Sequence, residues 1–162
     1  MLRHLMCAQL TNFPGATAYE WDHLARAPRA EDAEQLAVLM YSSYRGTIDD
    51  AGETPDDARG EVQKLLTDQF GRFDGASSVV YEMEGALGAA TILTRWRDAP
   101  FVAFSMTAPA WKRRGLARAG LVRAMRALAK DGESIVRLIV TDGNTPAESL
   151  YTSLGFVRES SK

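Results

Sequence analysis

The order of predicted elements indicates a mixed α/β or α+β fold, in which helices cover a central β-sheet. Two amphipathic helices come first, and a group of three strands follows. The third of these strands begins a strand–helix–strand–helix pattern in the last part of the chain. This order is typical of a sheet that buries its faces against helices. The chain has 162 residues, enough for one domain with a substantial core, and we predict a single domain over residues 1–162.

Composition and charge exclude several classes of protein. Apolar residues make up 46% and charged residues 25% of the chain, as in ordinary globular domains. The formal net charge is −2, so no overall positive field attracts nucleic acid or an anionic membrane. No apolar run reaches the roughly 18 residues of a membrane span, no signal peptide is evident, and the single cysteine, Cys7, fits a reducing compartment. We therefore expect a cytoplasmic protein without nucleic acid or membrane partners.

The first third of the chain predicts one weak strand and a helix. Residues 1–29 carry little pattern, but over residues 18–24 aromatic and His side chains alternate with acidic ones, which predicts an added strand. Over residues 30–44 apolar side chains recur at the spacing of one helix face. A loop rich in Asp and Gly follows over residues 45–53.

A second helix begins after Thr54. The threonine can cap the helix, Pro55 suits the first helical position, and Asp57 can reach back to the backbone of the cap residue. These three residues together form a start signal for a helix that the apolar residues downstream of Asp57 continue.

The middle of the chain predicts an antiparallel meander. Residues 71–75 break the helical pattern with two glycines. Strands are predicted over residues 77–83 and 86–96 with a tight turn between them, and a polar loop over residues 95–100 leads to a third strand over residues 101–107.

Strands and helices alternate in the last third of the chain. An amphipathic helix is predicted over residues 116–130, with one apolar face and one face rich in Arg. A buried strand follows over residues 134–141. A short helix over residues 146–154 ends before Gly155, and a last short strand is predicted over residues 156–159.

The junction between the third strand and the third helix is the most informative stretch. Residues 107–117 read Thr-Ala-Pro-Ala-Trp-Lys-Arg-Arg-Gly-Leu-Ala. The first N–H groups of a helix have no partner inside it, and the helix dipole places partial positive charge there. Gly115 lets the backbone approach a ligand closely because no side chain intervenes. We predict that the main chain here binds a phosphate-bearing ligand.

A second segment, after the next strand, makes this pattern specific. Residues 144–156 read Asn-Thr-Pro-Ala-Glu-Ser-Leu-Tyr-Thr-Ser-Leu-Gly-Phe. This segment resembles the N-x-P-A-x-x-L-Y-x-x-x-G-F motif of the GCN5-related N-acetyltransferase (GNAT) family, and residues 112–117 resemble its R/Q-x-x-G-x-G/A acetyl-coenzyme A loop. Lys112 departs from the pattern, because the family usually has Arg or Gln there.

The resemblance implies a GNAT-like fold with acetyl-coenzyme A as co-substrate. Such a fold has a mixed, mostly antiparallel sheet with helices on both faces. Its two central parallel strands splay apart at a bulge and take the pantetheine arm of the coenzyme into the gap. Relatives usually add more sheet after the position of Phe156. The N-terminal segment, or a second copy of the chain in a homodimer, would complete the sheet here.

The resemblance also implies the residues of the site. Tyr151 would protonate the thiolate that leaves the thioester, because a phenol with a pKa near 10 is a suitable donor; a simple packing role is the alternative. Asn144 would lie near the coenzyme arm, and it is equally suited to cap the following helix. The remaining coenzyme contacts are Ser105, Met106, Thr107, Lys112, Arg113, Arg114, Gly115, Leu116, Ala117 and Arg118.

The sequence leaves the general base open. Many relatives carry Glu on a splayed strand, whereas the two corresponding strands here contain no carboxylate. Water, or an amine that arrives neutral, would then replace a base on these strands. For Asp49, Asp50 and Glu53 in the first long loop, solvent exposure is the favoured interpretation and attraction of a cationic amine is the alternative.

Three functions follow from these motifs. The resemblance implies an N-acetyltransferase in which a small-molecule or peptide amine attacks the thioester directly. A non-catalytic acyl-coenzyme A sensor is the first alternative. The second is dinucleotide binding, since residues 115–120 form a degenerate G-x-G-x-x-G and Asp142 ends the next strand. We expect no metal site, because His4 and His23 are the only histidines and no Cys/His spacing suits zinc.

Overall fold

The computed structural model describes residues 2–14 and 20–160, and its centre is a seven-stranded sheet in the order β2-β3-β4-β5-β6-β1-β7. All neighbouring strands pair antiparallel except β5 and β6, which are parallel. This confirms the mixed, mostly antiparallel sheet. The strands are β1 Arg3–Gln9, β2 Ala25–Arg26, β3 Arg72–Met83, β4 Ala86–Trp96, β5 Ala99–Thr107, β6 Ile135–Thr141 and β7 Val157–Arg158.

Helices cover both faces of the sheet, as predicted. The helices are α1 Ala33–Tyr44, α2 Pro55–Leu66, α3 Leu116–Lys130 and α4 Thr145–Ser153. Val80 and Ala90 of the sheet pack in one apolar cluster with α1 and α2, whereas their neighbours Val79 and Ala89 pack with α3. Successive strand residues point to opposite faces, so the two pairs lie against different helix layers. Among the described residues, none of the helices combines the length and apolarity that a bilayer crossing requires.

The start of α2 follows its sequence signal. The Thr54 side chain accepts a hydrogen bond from the Asp57 N–H, and the Asp57 carboxylate accepts one from the Thr54 N–H at 2.8 Å. Pro55 occupies the first turn. Both donors are backbone groups without a partner inside the helix, so the reciprocal bonds stabilise its first turn. The capping box predicted for this helix is confirmed.

The N-terminal segment supplies an interior strand of the sheet. β1 lies between β6 and β7, and it pairs with β6 from Arg3↔Thr141 to Gln9↔Ile135. The strand predicted over residues 18–24 is wrong where the structure describes it, because Asp22–Leu24 form a 3₁₀ helix; residues 18 and 19 lie outside the described residues. Trp21 packs beside the sheet from this turn, so this aromatic residue does not need a strand to become partly buried.

A bulge opens the sheet between its two parallel strands. β4 and β5 pair at Ile92↔Phe104 and then at Leu93↔Val102, which leaves Ala103 of β5 as an extra residue. The parallel pairing of β5 with β6 is confined to residues 101–102 and 137–138. Beyond the bulge the carboxyl ends of the two strands have no ladder between them in the described part of the chain. The predicted splay of the central strands is therefore confirmed.

Candidate active site

Exposed backbone N–H groups line the start of α3. Gly115 is the residue before the helix and has a φ of 83°, and Arg113 also lies in the left-handed region with a φ of 65°. The first backbone bond of the helix runs from the Ala119 N–H to the Gly115 carbonyl at 3.0 Å. The N–H groups of residues 116–118 consequently find no backbone acceptor within the described ranges. No heavy atom lies within 4 Å of a Cβ built on Gly115, so a ligand can reach these groups.

A tryptophan from the N-terminal segment holds this loop in shape. Trp21 Nε1–H donates to the Arg114 carbonyl at 2.8 Å. The Trp21 ring lies edge-on to Trp111, with 6.1 Å between the ring centroids, and the Arg114 guanidinium stacks over Trp111 at 5.0 Å. Nothing in the local sequence around Trp21 connects it with the loop. Only the fold shows this contact, since 93 positions separate its partners.

The end of α1 fixes the other side of the loop. Lys112 Nζ donates to the Ser43 carbonyl at 2.9 Å, which places a positive charge at the carboxyl end of α1. The Ser43 hydroxyl accepts a hydrogen bond from the Thr107 N–H at 3.1 Å. The Lys112 side chain therefore joins the loop to α1, and the predicted contact of Lys112 with the coenzyme stays a prediction. Ser43 was not predicted as a site residue.

The three β5 residues predicted to contact the coenzyme divide into two kinds. The Ala108 N–H donates to the Gly88 carbonyl at 2.8 Å, and the polar groups of an antiparallel strand alternate in direction. The main chain of Met106 therefore faces β4, whereas that of Ser105 and Thr107 faces the gap beside β6. The Thr107 N–H already donates to the Ser43 hydroxyl. Of these two residues, Ser105 is therefore the one whose backbone N–H is available to a ligand in the gap.

Helix α4 approaches the loop from the far side of the gap. Arg118 Nη2 donates to the Ser153 hydroxyl at 2.8 Å, which joins the first turn of α3 to α4. The Asn144 side chain accepts from the Ala147 N–H at 3.4 Å, so it caps α4. Its Nδ2 also lies 3.5 Å from Asp49 Oδ2, at the gap. The helix cap considered for Asn144 is therefore confirmed, and its place beside the coenzyme arm stays a prediction.

Tyr151 of α4 lies half-buried at the mouth of the gap. Its ring packs against Phe156, with 5.9 Å between the centroids. Burial, and then the charge of Asp49, raise the pKa of Tyr151 to about 12. Burial also raises the pKa of Tyr44 at the end of α1, with smaller contributions from Tyr151 and Asp49. Both phenols stay protonated at neutral pH, so each can donate a hydrogen bond or a proton.

The loop between α1 and α2 places one carboxylate at this mouth. Asp49 Oδ1 accepts a hydrogen bond from the Thr141 hydroxyl at 2.6 Å, at the end of β6. Asp50 instead accepts from the N–H groups of Gly46 and Gly52, at 2.8 Å each, which lowers its pKa. Solvent exposure was the favoured interpretation for all three acidic loop residues. The structure confirms it for Asp50 and Glu53, whereas Asp49 is half-buried at the site.

A sequence model described as the Acetyltransferase (GNAT) family matches residues 34–156, which include the α3 loop and α4. The chain belongs to the GNAT family. No curated protein matches the GNAT chain.

Solved structures agree with the GNAT fold. An acetyltransferase of this family from Novosphingobium aromaticivorans is 21% identical with a TM-score of 0.67, and the match covers 97% of this chain and 60% of that one. The ribosomal-protein-S18-alanine N-acetyltransferase from Escherichia coli is 20% identical, with 84% and 78% coverage and a TM-score of 0.66. AAC(6')-Iy, in complex with the bisubstrate analog CoA-S-monomethyl-acetylneamine, is 15% identical, with 85% and 92% coverage and a TM-score of 0.62.

The fold removes the dinucleotide alternative. A doubly wound sheet is built from successive parallel strands, whereas the described sheet has a single parallel pair. Asp142 is bonded to His4 Nε2 at 2.9 Å and lies 3.7 Å from Arg158. In the described part of this GNAT chain, no group of three or more His, Cys, Asp and Glu residues is arranged to hold a metal ion.

Proposed function

We propose that this GNAT chain is an acetyl-coenzyme A dependent N-acetyltransferase that acts by direct attack in a ternary complex. One observation carries the proposal: the free N–H groups at the start of α3 lie at the carboxyl end of the splayed β5 strand, and Arg118 joins that turn to α4, which carries Tyr151. A diphosphate at the loop therefore directs the rest of the coenzyme towards the gap and the phenol.

The proposed coenzyme site uses mostly main chain. The N–H groups of residues 113–118 bind the pyrophosphate, and the side chains of Arg113 and Arg114 add positive charge around it. The main chain of Ser105 takes an amide of the pantetheine arm in the gap, and Asn144 lies beside the arm. These assignments are supported by the direction of the β5 amides and by the open space in front of Gly115.

Chemistry then takes place at the mouth of the gap. The acceptor nitrogen attacks the thioester carbonyl carbon, the C–N bond forms, and the C–S bond breaks. Tyr151 gives its proton to the departing sulfur, and its phenolate regains a proton from the nitrogen. Holding both reactants side by side supplies much of the rate, because a bimolecular step becomes effectively unimolecular.

A binding and turnover experiment tests this function. We expect calorimetry to give micromolar binding of acetyl-coenzyme A and no binding of NAD. A thiol-release assay with acetyl-coenzyme A should then show turnover with some members of a panel of small-molecule and peptide amines. Tight binding without thiol release from any amine would favour the acyl-coenzyme A sensor. Absence of acetyl-coenzyme A binding would contradict the proposal.

A further inference from the structure

We propose, building on the function above, that Asp49 is the acceptor site of this enzyme: it binds the substrate as an ammonium ion and removes its first proton. The substrate class is therefore an aliphatic primary amine, which is positively charged at neutral pH. Aromatic amines, which are neutral at that pH, would be poor acceptors.

The position of Asp49 carries the first part of the inference. Its two oxygens reach Thr141 at the end of β6 and Asn144 at the start of α4, at 2.6 Å and 3.5 Å. The loop lies directly across this end of the strand, since a Cβ built on Gly143 would lie 3.4 Å from Ile48 Cδ1. Asp49 therefore stands over the parallel strand that borders the gap.

The surroundings of Asp49 carry the second part. In residues 2–14 and 20–160, no Lys, Arg or His lies within 4.0 Å of its carboxylate. Four other carboxylates with side chains of low exposure pair with an arginine, and half-buried Asp74 instead accepts a hydrogen bond from the Ser77 N–H: the four are Asp32, Glu133, Glu148 and Glu159. A half-buried carboxylate without a cation is costly, and two bonds leave part of its acceptor capacity free. A ligand ammonium ion would supply both the missing positive charge and the donors for the free acceptor positions of the carboxylate.

The neighbouring titratable groups favour a cation at the same place. Tyr44 from α1 and Tyr151 from α4 are the groups that sense the Asp49 charge, and both are neutral at physiological pH. Arg45 in the same loop contacts the Tyr41 ring, and Asp142 after β6 is bonded to His4. Among these neighbours Asp49 is thus the carboxylate whose hydrogen-bond partners and tyrosine neighbours are all neutral, and tyrosine rings attract cations.

The proton balance is complete with these residues. Asp49 accepts one proton from the ammonium, which leaves a neutral amine and a carboxylic acid that later returns the proton to solvent. The lone pair that is freed forms the C–N bond, while Tyr151 supplies the proton that the sulfur needs. The nitrogen loses its second proton to the Tyr151 phenolate, so one proton is released to solvent in each cycle.

The test compares Asp49→Asn with Glu53→Gln, which removes one charge from an exposed position of the same loop. Thiol release is measured from pH 7 to pH 10 with alkyl amines, diamines, aminosugars and aromatic amines. We expect Asp49→Asn to lower kcat/KM for aliphatic amines about 100-fold at pH 7. The loss should shrink to about tenfold at pH 10, where more amine is neutral, and acetyl-coenzyme A affinity should be unchanged. Glu53→Gln should behave like the wild type.

Each outcome decides one of the two proposals. Equal activity of Asp49→Asn and wild type at pH 7, or a loss that does not change with pH, overturns the role of Asp49 and leaves the transferase function standing. If the wild type releases no thiol with any amine, calorimetric titration of the coenzyme A complex with an alkyl diamine replaces the assay. Binding that Asp49→Asn abolishes then supports the ammonium site and contradicts acetyl transfer, whereas binding that persists in Asp49→Asn overturns the site.

Discussion

Tyr151 combines a raised pKa with a position beside the gap, and these properties define the first prediction. Tyr151→Phe keeps the ring that packs on Phe156 and removes only the phenolic proton. We expect kcat to fall about 100-fold with little change in acetyl-coenzyme A affinity, because the phenol acts on the leaving sulfur. The matched control is Tyr81→Phe, since the Tyr81 hydroxyl is buried without a partner in the described residues. Unchanged turnover of Tyr151→Phe would remove the phenol from the mechanism.

Gly115 allows a sharper test of the phosphate loop. Gly115 and Gly132 flank the two ends of α3, have φ values of 83° and 85°, and face open space. Leucine at either position therefore costs about 1–2 kcal/mol of backbone strain. We expect only Gly115→Leu to abolish acetyl-coenzyme A binding in calorimetry, because its side chain would cover the N–H groups that we propose bind phosphate. If Gly115→Leu binds the coenzyme as well as Gly132→Leu does, the loop assignment is wrong.

At the scale of elements, a buried ion pair joins β2 to the start of α1. Arg26 Nη1 and Nη2 each donate to the Asp32 carboxylate at 2.8 Å, and the side chains are 19% and 8% exposed. The Arg26 bond holds the pKa of Asp32 below its usual value. The stabilisation from this group is therefore present above about pH 4 and is lost as the pH falls further, since the unfolded chain binds the proton first.

A substitution of Asp32 tests how much this ion pair stabilises the fold. Asp32→Asn should lower the free energy of unfolding by about 3 kcal/mol at pH 7, because the largely buried Arg26 then loses its bidentate counterion and keeps only Glu82 at 3.6 Å. Glu34→Gln removes an equal charge from a pair with Arg59 whose side chains are 64% and 50% exposed, and should cost under about 0.5 kcal/mol. Urea denaturation of both variants measures the difference, and equal midpoints would contradict a structural role for the pair.

Elements with local signals could be predicted from the sequence, and those that depend on distant partners could not. The helix over residues 116–130 and the strand over residues 86–96 match the structure at both ends, because periodicity and turns fix them locally. β3 begins at Arg72, earlier than predicted, since the irregularity after Asp74 lets the strand continue past Gly75. β1 was missed because its identity depends on pairing with β6, far along the chain.

The candidate site divides in the same way. The loop with Gly115 and the α4 segment with Tyr151 each carry a compact motif, so the resemblance located both. Trp21, Ser43 and Asp49 enter the site only through contacts across the fold, at the loop, at β5 and at β6. The sequence offered Asp49 only as one of three loop acids, and nothing in local spacing distinguishes it from the other two.

For the whole molecule, buried tyrosines predict an alkaline limit to stability. Burial raises the pKa of both Tyr81 and Tyr151 to about 12, against about 10 in the unfolded chain. Their contribution is fully present below about pH 10 and is lost as the pH rises towards 12, at about 3 kcal/mol for each group. Urea denaturation at pH 8, 10 and 11.5, with tyrosinate absorbance as the titration probe, should show this fall. A constant free energy of unfolding across that range would contradict it.

The insertion of β1 between β6 and β7 has a consequence for synthesis on the ribosome. β1 is translated well before its partners, because β2 to β5 and the helices α1 to α3 lie between it and β6 in the chain. Until then a short apolar segment with unpaired edges is open to intermolecular pairing. The sheet therefore closes last where β1 enters it, and the end of β6 that contacts Asp49 becomes rigid only with that step.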